Sequence, residues 1–306
     1  MVIEGKENHK IIDVSIIIPC KNEGNNLIST VDSILNSKTD LSIEIIAVDD
    51  ASNDLCVEKL ELYMNKINFR NFTSIHINNK GPGMARNAGA SKARGKYLFF
   101  CDGHIKIQEH CFDGLVNTLV NNNADFATTT VVDMYNSNSV GYGATWNEKL
   151  QFTWLVNKPH GNSEVPIASG TSLFVIKSAF EKIGGYNKLF KGYGLEDQEI
   201  CMKAWLYGFK IFLNPKIQVT HLFRKKHPYK IKEFDFVYNT LCLGLCFFNK
   251  KRYSKLINIY KNYRSFSMSM DKIRDNIDKI FIQREKFLRE CIYSDDYFFN
   301  KFNIHF

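Results

Sequence analysis

The chain has 306 residues, 44% of them hydrophobic, and no low-complexity tract. That is enough to bury a sizeable core, and it excludes disordered and fibrous classes. The net charge of +8 is unevenly placed: between 221 and 264 eleven Lys and Arg stand against only Glu233 and Asp235, a block suited to a phosphate-bearing ligand, an acidic acceptor or an anionic membrane surface. Nucleic acid is not among the partners expected.

In chain order, β-rich runs alternate with helical patterns. A strand is predicted over 14–19, a helix over 25–36, a strand over 44–48, a helix over 55–67 and a strand over 74–77. A helix over 84–94 and a strand over 97–101 follow. This alternation predicts βαβ units and a mostly parallel sheet that binds ligands at the carboxyl ends of its strands. From 125 the pattern changes: a strand over 126–132, a polar insert over 133–143, then Trp146, Phe152 and Trp154. A strand over 171–176 leads to a helix over 178–183, stopped by Gly184-Gly185, and a helix over 196–207 is stopped by Gly208. After a β-rich run over 210–219 the chain reads as helices over 234–248, 250–263 and 271–291. The expected organisation is an N-terminal extension (1–12), an α/β domain (13–232) and a basic helical C-terminal region (233–306).

The eight cysteines form no CxxC pair and several fall in apolar runs, so reduced, packed thiols are expected. The longest apolar stretch, 234–248, contains Asp235 and Asn239 and is shorter than the ~20 residues of a membrane span. The first apolar run is too brief for a signal peptide, and a cytoplasmic protein is expected.

Five places carry chemistry. Asp102-Gly103-His104 stands directly after the buried run 97–101, where i and i+2 side chains of an extended segment share a face. A divalent cation on a sugar nucleotide needs only two or three protein ligands, and a nitrogen donor shifts preference from Mg²⁺ toward Mn²⁺. Gly103 is expected to let the backbone approach the nucleotide. Asp50, after the second strand, suits a uracil or ribose contact, and its simpler reading is a turn acid. Gly81-Pro82-Gly83 opens a helix from which Arg86 is expected to reach the donor's phosphates or ribose; the spacing matches neither a Walker loop nor a dinucleotide fingerprint.

Glu196 and Asp197 open a helix after Gly192 and Gly194. Acids there complement the helix dipole without further purpose, or serve as a general base and a sugar anchor. Tyr193 or Trp205 is expected to pack near them, although an aromatic on a helix is more often core. His221 closes a β-rich run and begins a segment with Arg224, His227 and Tyr229, a third metal ligand followed by groups suited to a diphosphate leaving group.

Residues 14–23 (VSIIIPCKNE), the Asp49-Asp50 pair, Ala85-Arg86-Asn87-Ala88-Gly89 and the post-strand Asp102 resemble the family 2 glycosyltransferases of GT-A fold. The resemblance covers about residues 13 to 232, with five motifs in order. Asp102-Gly103-His104, the segment Tyr193 to Glu199 and the segment His221 to Tyr229 are most similar to the polypeptide N-acetylgalactosaminyltransferases. That likeness implies that Asp102, His104 and His221 hold Mn²⁺ (or Mg²⁺) and that Arg224, His227 and Tyr229 contact the diphosphate. It also implies that Asp50 contacts uracil and that Pro19, Arg86 and Asp102 belong to the donor site.

Two departures matter. Asp197 stands where those retaining enzymes have asparagine and instead is similar to the Glu-Asp pair of inverting galactosyltransferases, which implies an inverting displacement with Asp197 as base and Glu196 as sugar anchor. The basic helical tail stands where the animal enzymes carry a lectin domain, so the acceptor does not carry over. The expected function is metal-dependent transfer of a hexose or N-acetylhexosamine from a UDP-sugar to a peptide or protein Ser, Thr or Cys. A cell-surface glycan built at the inner membrane face is the rival acceptor, with the basic tail against the membrane or against a second subunit. A non-catalytic sugar-nucleotide-binding protein and a nucleotidyltransferase are the other classes; the Glu196-Asp197 pair argues against the first, and the second would more often show a basic, glycine-rich phosphate loop close to the amino terminus.

Overall fold

A computed structural model describes residues 11–306, so most of the expected extension 1–12 lies outside the described residues. The first half builds β1 (Val14–Cys20), α1 (Asn26–Asn36), β2 (Ile43–Asp50), α2 (Cys56–Lys66), β3 (Phe72–Ile77), α3 (Pro82–Lys92) and β4 (Tyr97–Cys101). β1 is a strand because its β-branched run is buried on both faces. Val14, Ile16 and Ile18 pack with Leu27, Val31 and Leu60 of α1 and α2, whereas Ile17 packs with Ile46, Val48 and Ala85 on the α3 side. The two faces of one strand therefore seed two core layers.

The second half adds β5 (Ile105–Ile107), α4 (Cys111–Asn122), β6 (Phe126–Asp133), β7 (Val140–Gly141), β8 (Ala144–Trp146), β9 (Phe152–Trp154), β10 (Ser163–Glu164), β11 (Ser172–Ile176), α5 (Lys177–Lys182), α6 (Glu196–Leu206) and β12 (Ile211–His221). The main sheet runs β10-β12-β6-β11-β4-β1-β2-β3, with β5 on β12 and β7 on β6; β8 and β9 form a separate ribbon. β3, β2, β1 and β4 are mutually parallel, as the alternation predicted. Beyond β4 the sheet is mixed, because β11 enters antiparallel to both β4 and β6.

From β1 the chain winds outward through β2 and β3 and then returns to the other side of β1 as β4, so the strand order reverses between β1 and β4. Pairing of β1 with β4 ends at Ile17 and Phe100, and Pro19, which has no N–H to donate, lies past it. A crevice at such a reversal, outside the carboxyl ends of the strands, is where open α/β sheets bind ligands.

The C-terminal helices are α7 (Glu233–Phe247), α8 (Lys250–Tyr260), α9 (Phe266–Asp275), α10 (Ile277–Glu290) and α11 (Asp295–Lys301). The single helix expected over 271–291 is two, broken at Asn276, whose side chain donates back to the Lys272 carbonyl (2.8 Å) while its backbone leaves the helical region. Tyr238, Leu241 and Cys242 of α7 share one apolar cluster with Ile200 and Trp205 of α6. All eight cysteines are free and seven are buried, matching the expected packed thiols. Among the described residues no helix is long and apolar enough to cross a membrane.

Candidate active site

Asp102 leaves the end of β4, and two residues later β5 pairs antiparallel with the end of β12, setting His221 opposite Ile105. The amide of Leu222 donates to the His104 carbonyl (3.1 Å), which closes the ladder. Strand pairing thus joins segments more than a hundred residues apart: the His104 and His221 rings lie 4.8 Å apart, and His221 Nε2 is 3.3 Å from Asp102 Oδ2. Asp102, His104 and His221 each offer a ligand atom within 4.8 Å of the others. One carboxylate and two imidazoles suit a first-row divalent cation, and the buried Nδ1 of His221 has no hydrogen-bond partner among the described residues.

Arg86, on the buried face of α3, is 3% exposed. It donates to Asp102 (3.2 Å), Asp197 (3.3 Å) and the Gly170 carbonyl (3.3 Å). This guanidinium, expected to reach the donor's phosphates or ribose, clasps two carboxylates in the structure. Asp102 also accepts from Thr171 Oγ1 (3.2 Å). Burial opposes ionisation of Asp102, but the His221 hydrogen bond and the Arg86 charge hold its carboxyl well below the usual range.

Glu196 and Asp197 begin α6 immediately after Leu195, whose φ of 71° is a left-handed conformation rare for a leucine. Asp197 accepts the Gly170 amide (2.8 Å) as well as Arg86, and Glu196 accepts the Gly194 amide (2.7 Å). Among the described residues Glu196 has no ion-pair partner. Burial first, then the adjacent Asp197, push the Glu196 carboxyl up to about 7. Asp197 is also raised, by burial, with Arg86 opposing.

Asp50 ends β2 with its oxygens turned to the amides of Lys80 (2.5 Å) and Gly81 (2.8 Å). It therefore fixes the turn into α3. Gly81 has φ 89°, and a Cβ there would stand 1.9 Å from the Gly192 carbonyl, so only glycine lets α3 start against the 192 loop. After β12 the chain returns over the crevice: Arg224 reaches Glu23, Asn22 donates to the Pro228 carbonyl (3.2 Å), and His227 lies between Tyr193 (5.6 Å) and Tyr229 (5.7 Å). Burial, then Arg224, lowers His227, and burial pushes the Tyr229 phenol up to about 12. Trp205, expected near the site, is instead core, its indole donating to the Val165 carbonyl (3.1 Å); Tyr193 is the aromatic at the rim.

Two residues escaped the sequence reading of the site. Glu23 accepts from His104 Nδ1 (2.9 Å) and Arg224, and its signal lay in the Lys21-Asn22-Glu23 end of the first motif. Gly170 has no side chain to betray it. At Gly103 a Cβ would lie 2.9 Å from Glu23 Cγ, so the glycine admits Glu23.

Comparison with known proteins now bears on this geometry. Residues 15–184, more than half of the chain, match the model "Glycosyl transferase family 2". The chain belongs to glycosyl transferase family 2. Residues 151–228 of this family member also match "N-terminal domain of galactosyltransferase". It is 30% identical over 236 residues to polypeptide N-acetylgalactosaminyltransferase 4 of Caenorhabditis elegans, covering 70% of this chain and 39% of that protein. With polypeptide N-acetylgalactosaminyltransferase 14 of Homo sapiens it is 30% identical over 237 residues, 70% of this chain and 41% of that one. The chain thus spans about two fifths of these relatives' length. Among solved structures, GalNAc-T7 with UDP, GalNAc and Mn²⁺ superposes with a TM-score of 0.68 at 21% identity, over 89% of this chain and 58% of that one. S. aureus TarS 1-349 in complex with UDP-GlcNAc gives 0.59 at 16% identity, over 92% and 82%. The shared fold is GT-A.

Proposed function

We propose that this chain is a metal-dependent glycosyltransferase that moves a hexose or N-acetylhexosamine from a UDP-sugar to an acceptor. The observation that carries the reading is the meeting of Asp102, His104 and His221 beside the Glu196–Asp197 pair, with Arg86 bonded to Asp102 and Asp197. GalNAc-T7, of the same fold, is described with UDP, GalNAc and Mn²⁺. Here Asp102, His104 and His221 would hold Mn²⁺ or Mg²⁺, which when bound neutralises charge on a diphosphate. Pro19 and Asp50, at the carboxyl ends of β1 and β2, would contact the uridine. Arg224, His227 and Tyr229, on the returning segment, face the leaving diphosphate as its charge develops.

Asp197 takes the acceptor's proton, Glu196 anchors sugar hydroxyls, and attack opposite the leaving group inverts the anomeric carbon. A second reading exchanges the two acids, favoured by the absence of an ion pair at Glu196 and its elevation to about 7. Proton NMR of the product gives its anomeric configuration, and retention would discard both readings of the pair.

For the acceptor we favour a peptide or protein side chain, Ser, Thr or Cys. The curated relatives named here are polypeptide-modifying by name. In addition, a line of rings runs to the metal residues: Phe152–Trp154 (5.1 Å), Trp154–Phe223 (6.1 Å) and Phe223–His221 (4.4 Å). Such a wall packs the apolar body of a peptide. The rival is a glycan at an anionic membrane, favoured by exposed Lys250, Lys251, Lys255, Lys261 and Arg264 in and just after α8. Intact-mass analysis of candidate peptides with UDP-sugars and Mn²⁺ tests the first, and cosedimentation with anionic vesicles the second. Full UDP release by D102A and H221A variants would remove the metal from the reading.

A further inference from the structure

We propose that Glu23 is the positioning residue of this site, setting the His104 imidazole for the cation while holding Arg224 in reserve for the diphosphate. The inference rests on the reading of Asp102, His104 and His221 as a cation site. Glu23 is 6% exposed and follows β1 in a loop whose backbone is pinned on both sides. The Asn22 amide donates to Ser52 Oγ (3.0 Å), the Gly24 amide to Asp54 Oδ2 (2.7 Å), and the Asn26 amide to the Glu23 carbonyl (3.2 Å). The carboxylate is thereby delivered to one place, and Gly103 leaves room for its Cγ.

At that place one oxygen, Oε2, does two things. It accepts from His104 Nδ1 (2.9 Å) and from Arg224 Nη2. An ionised carboxylate has no hydrogen to give, so Nδ1 must carry the proton and the lone pair of His104 resides on Nε2. A carboxylate behind a metal-binding imidazole fixes its tautomer and ring orientation and raises its basicity, and loss of such a partner typically weakens metal affinity 10–100-fold. His221 has no equivalent: its Nδ1 is buried without a partner and its place is set by the β5–β12 ladder and the Phe223 ring. Glu23 therefore acts on one ligand of three.

The same contact parks Arg224. Before nucleotide binds, the guanidinium is satisfied by Glu23 and held beside the cation ligands; a diphosphate competes with Glu23 for it. The two duties predict opposite effects. Removing the carboxylate weakens the cation, whereas nucleotide without metal loses a competitor for Arg224.

The test measures Mn²⁺ alone by electron paramagnetic resonance, and UDP alone, in chelator, by titration calorimetry, on the full chain. E23A is expected to bind Mn²⁺ about 10–100-fold more weakly and UDP without metal as tightly as wild type or tighter. E23Q, isosteric and still able to accept from Nδ1, is expected to move both values in the same directions by less. If circular dichroism shows E23A unfolded, E23Q decides. Mn²⁺ affinity within twofold of wild type in the folded variants overturns the proposal, and so does joint weakening of Mn²⁺ and metal-free UDP, the mark of general damage. H221A keeps Glu23: unaltered Mn²⁺ binding by H221A would instead overturn the cation-site reading beneath it.

Discussion

Glu196 and Asp197 place two carboxyls side by side at a helix start, and one guanidinium, Arg86, is bonded to only the second of them. Both acids are raised, Glu196 to about 7 by burial and then by its neighbour, and Asp197 by burial. The group serving as base acts deprotonated: with Glu196 as base, kcat/KM is expected to climb about tenfold per pH unit up to about 7 and then level, and with Asp197 as base the limb lies above the ordinary aspartate range. In D197N and E196Q profiles, the variant that loses both the rate and this limb identifies the base. Stability moves the other way. A carboxyl whose folded value lies above its unfolded one burdens the fold once pH exceeds the unfolded value, and the full cost is present above about 7. E196Q is thus expected to be more stable than wild type at pH 8 by about 1–2 kcal/mol, discounted for partial exposure, with the gap closing toward pH 4.5. Urea unfolding at the two pH values checks this. Gly170 offers a second residue-level test. A Cβ there would lie 2.4 Å from Arg86 Nη2 and 2.5 Å from Asp197 Oδ1, so G170A must push the clasp apart. A fall in kcat of about 10²-fold is expected, while G161A, with nothing within 4 Å, leaves kcat unchanged.

At the scale of elements, α3 brings Arg86 to the clasp only because it lies directly on β1 and β2. Gly89, one turn after Arg86, makes that approach possible: a Cβ would meet Ile17 Cγ2 at 2.4 Å and Val48 Cγ2 at 3.2 Å. Exchange of glycine for alanine inside a helix ordinarily gains about 1 kcal/mol. Here overpacking costs about 1–3 kcal/mol and wins, so G89A is expected to lower denaturant stability, and to lower kcat because Arg86 shifts with the helix. The same elements show what a sequence discloses. β1 and β4 were legible because long apolar runs have one explanation, and Asp102 and His104 because they follow such a run. α4 and α11 went unrecognised: α4 starts from His110 in a left-handed conformation with no side-chain cap, and α11, although Ser294, Asp295 and Asp296 mark its start, is seven residues long, too short to show a helical period. β5 is three residues whose strand character exists only through β12. Since β5 is what sets His221 beside His104, the closing of the metal site is a non-local fact. Arg86, Asp102 and Asp197 were each found by motif but their pairing was not, since a motif names a residue but not its neighbours in space.

For the whole molecule, the sequence drew a boundary at 232, yet the helices beyond it hold the acid pair in place. Asn239 of α7 donates to the carbonyls of Lys191 (2.8 Å) and Gly194 (2.9 Å) and accepts the Lys191 amide (2.8 Å). It thus ties down both ends of the loop that leads into Glu196. A Cβ at Gly192 would stand 2.2 Å from Asp235 Oδ2, so α7 also limits what that loop can be. N239A leaves three backbone groups without their partner, at a cost of about 1–3 kcal/mol for each that water does not reach. The expected result is lower thermal stability together with a drop in kcat that exceeds any change in Mn²⁺ affinity, because the cation ligands lie in the turn between β4 and β5 and at the end of β12, whereas the acids directly follow the freed loop. Ending the chain at 232 goes further. It strips Tyr238, Leu241 and Cys242 from the cluster they share with Ile200 and Trp205, and the shortened chain is expected to be insoluble when expressed. A soluble, cooperatively melting 11–232 fragment with wild-type kcat would show that the C-terminal helices are an addition to the transferase rather than part of its site.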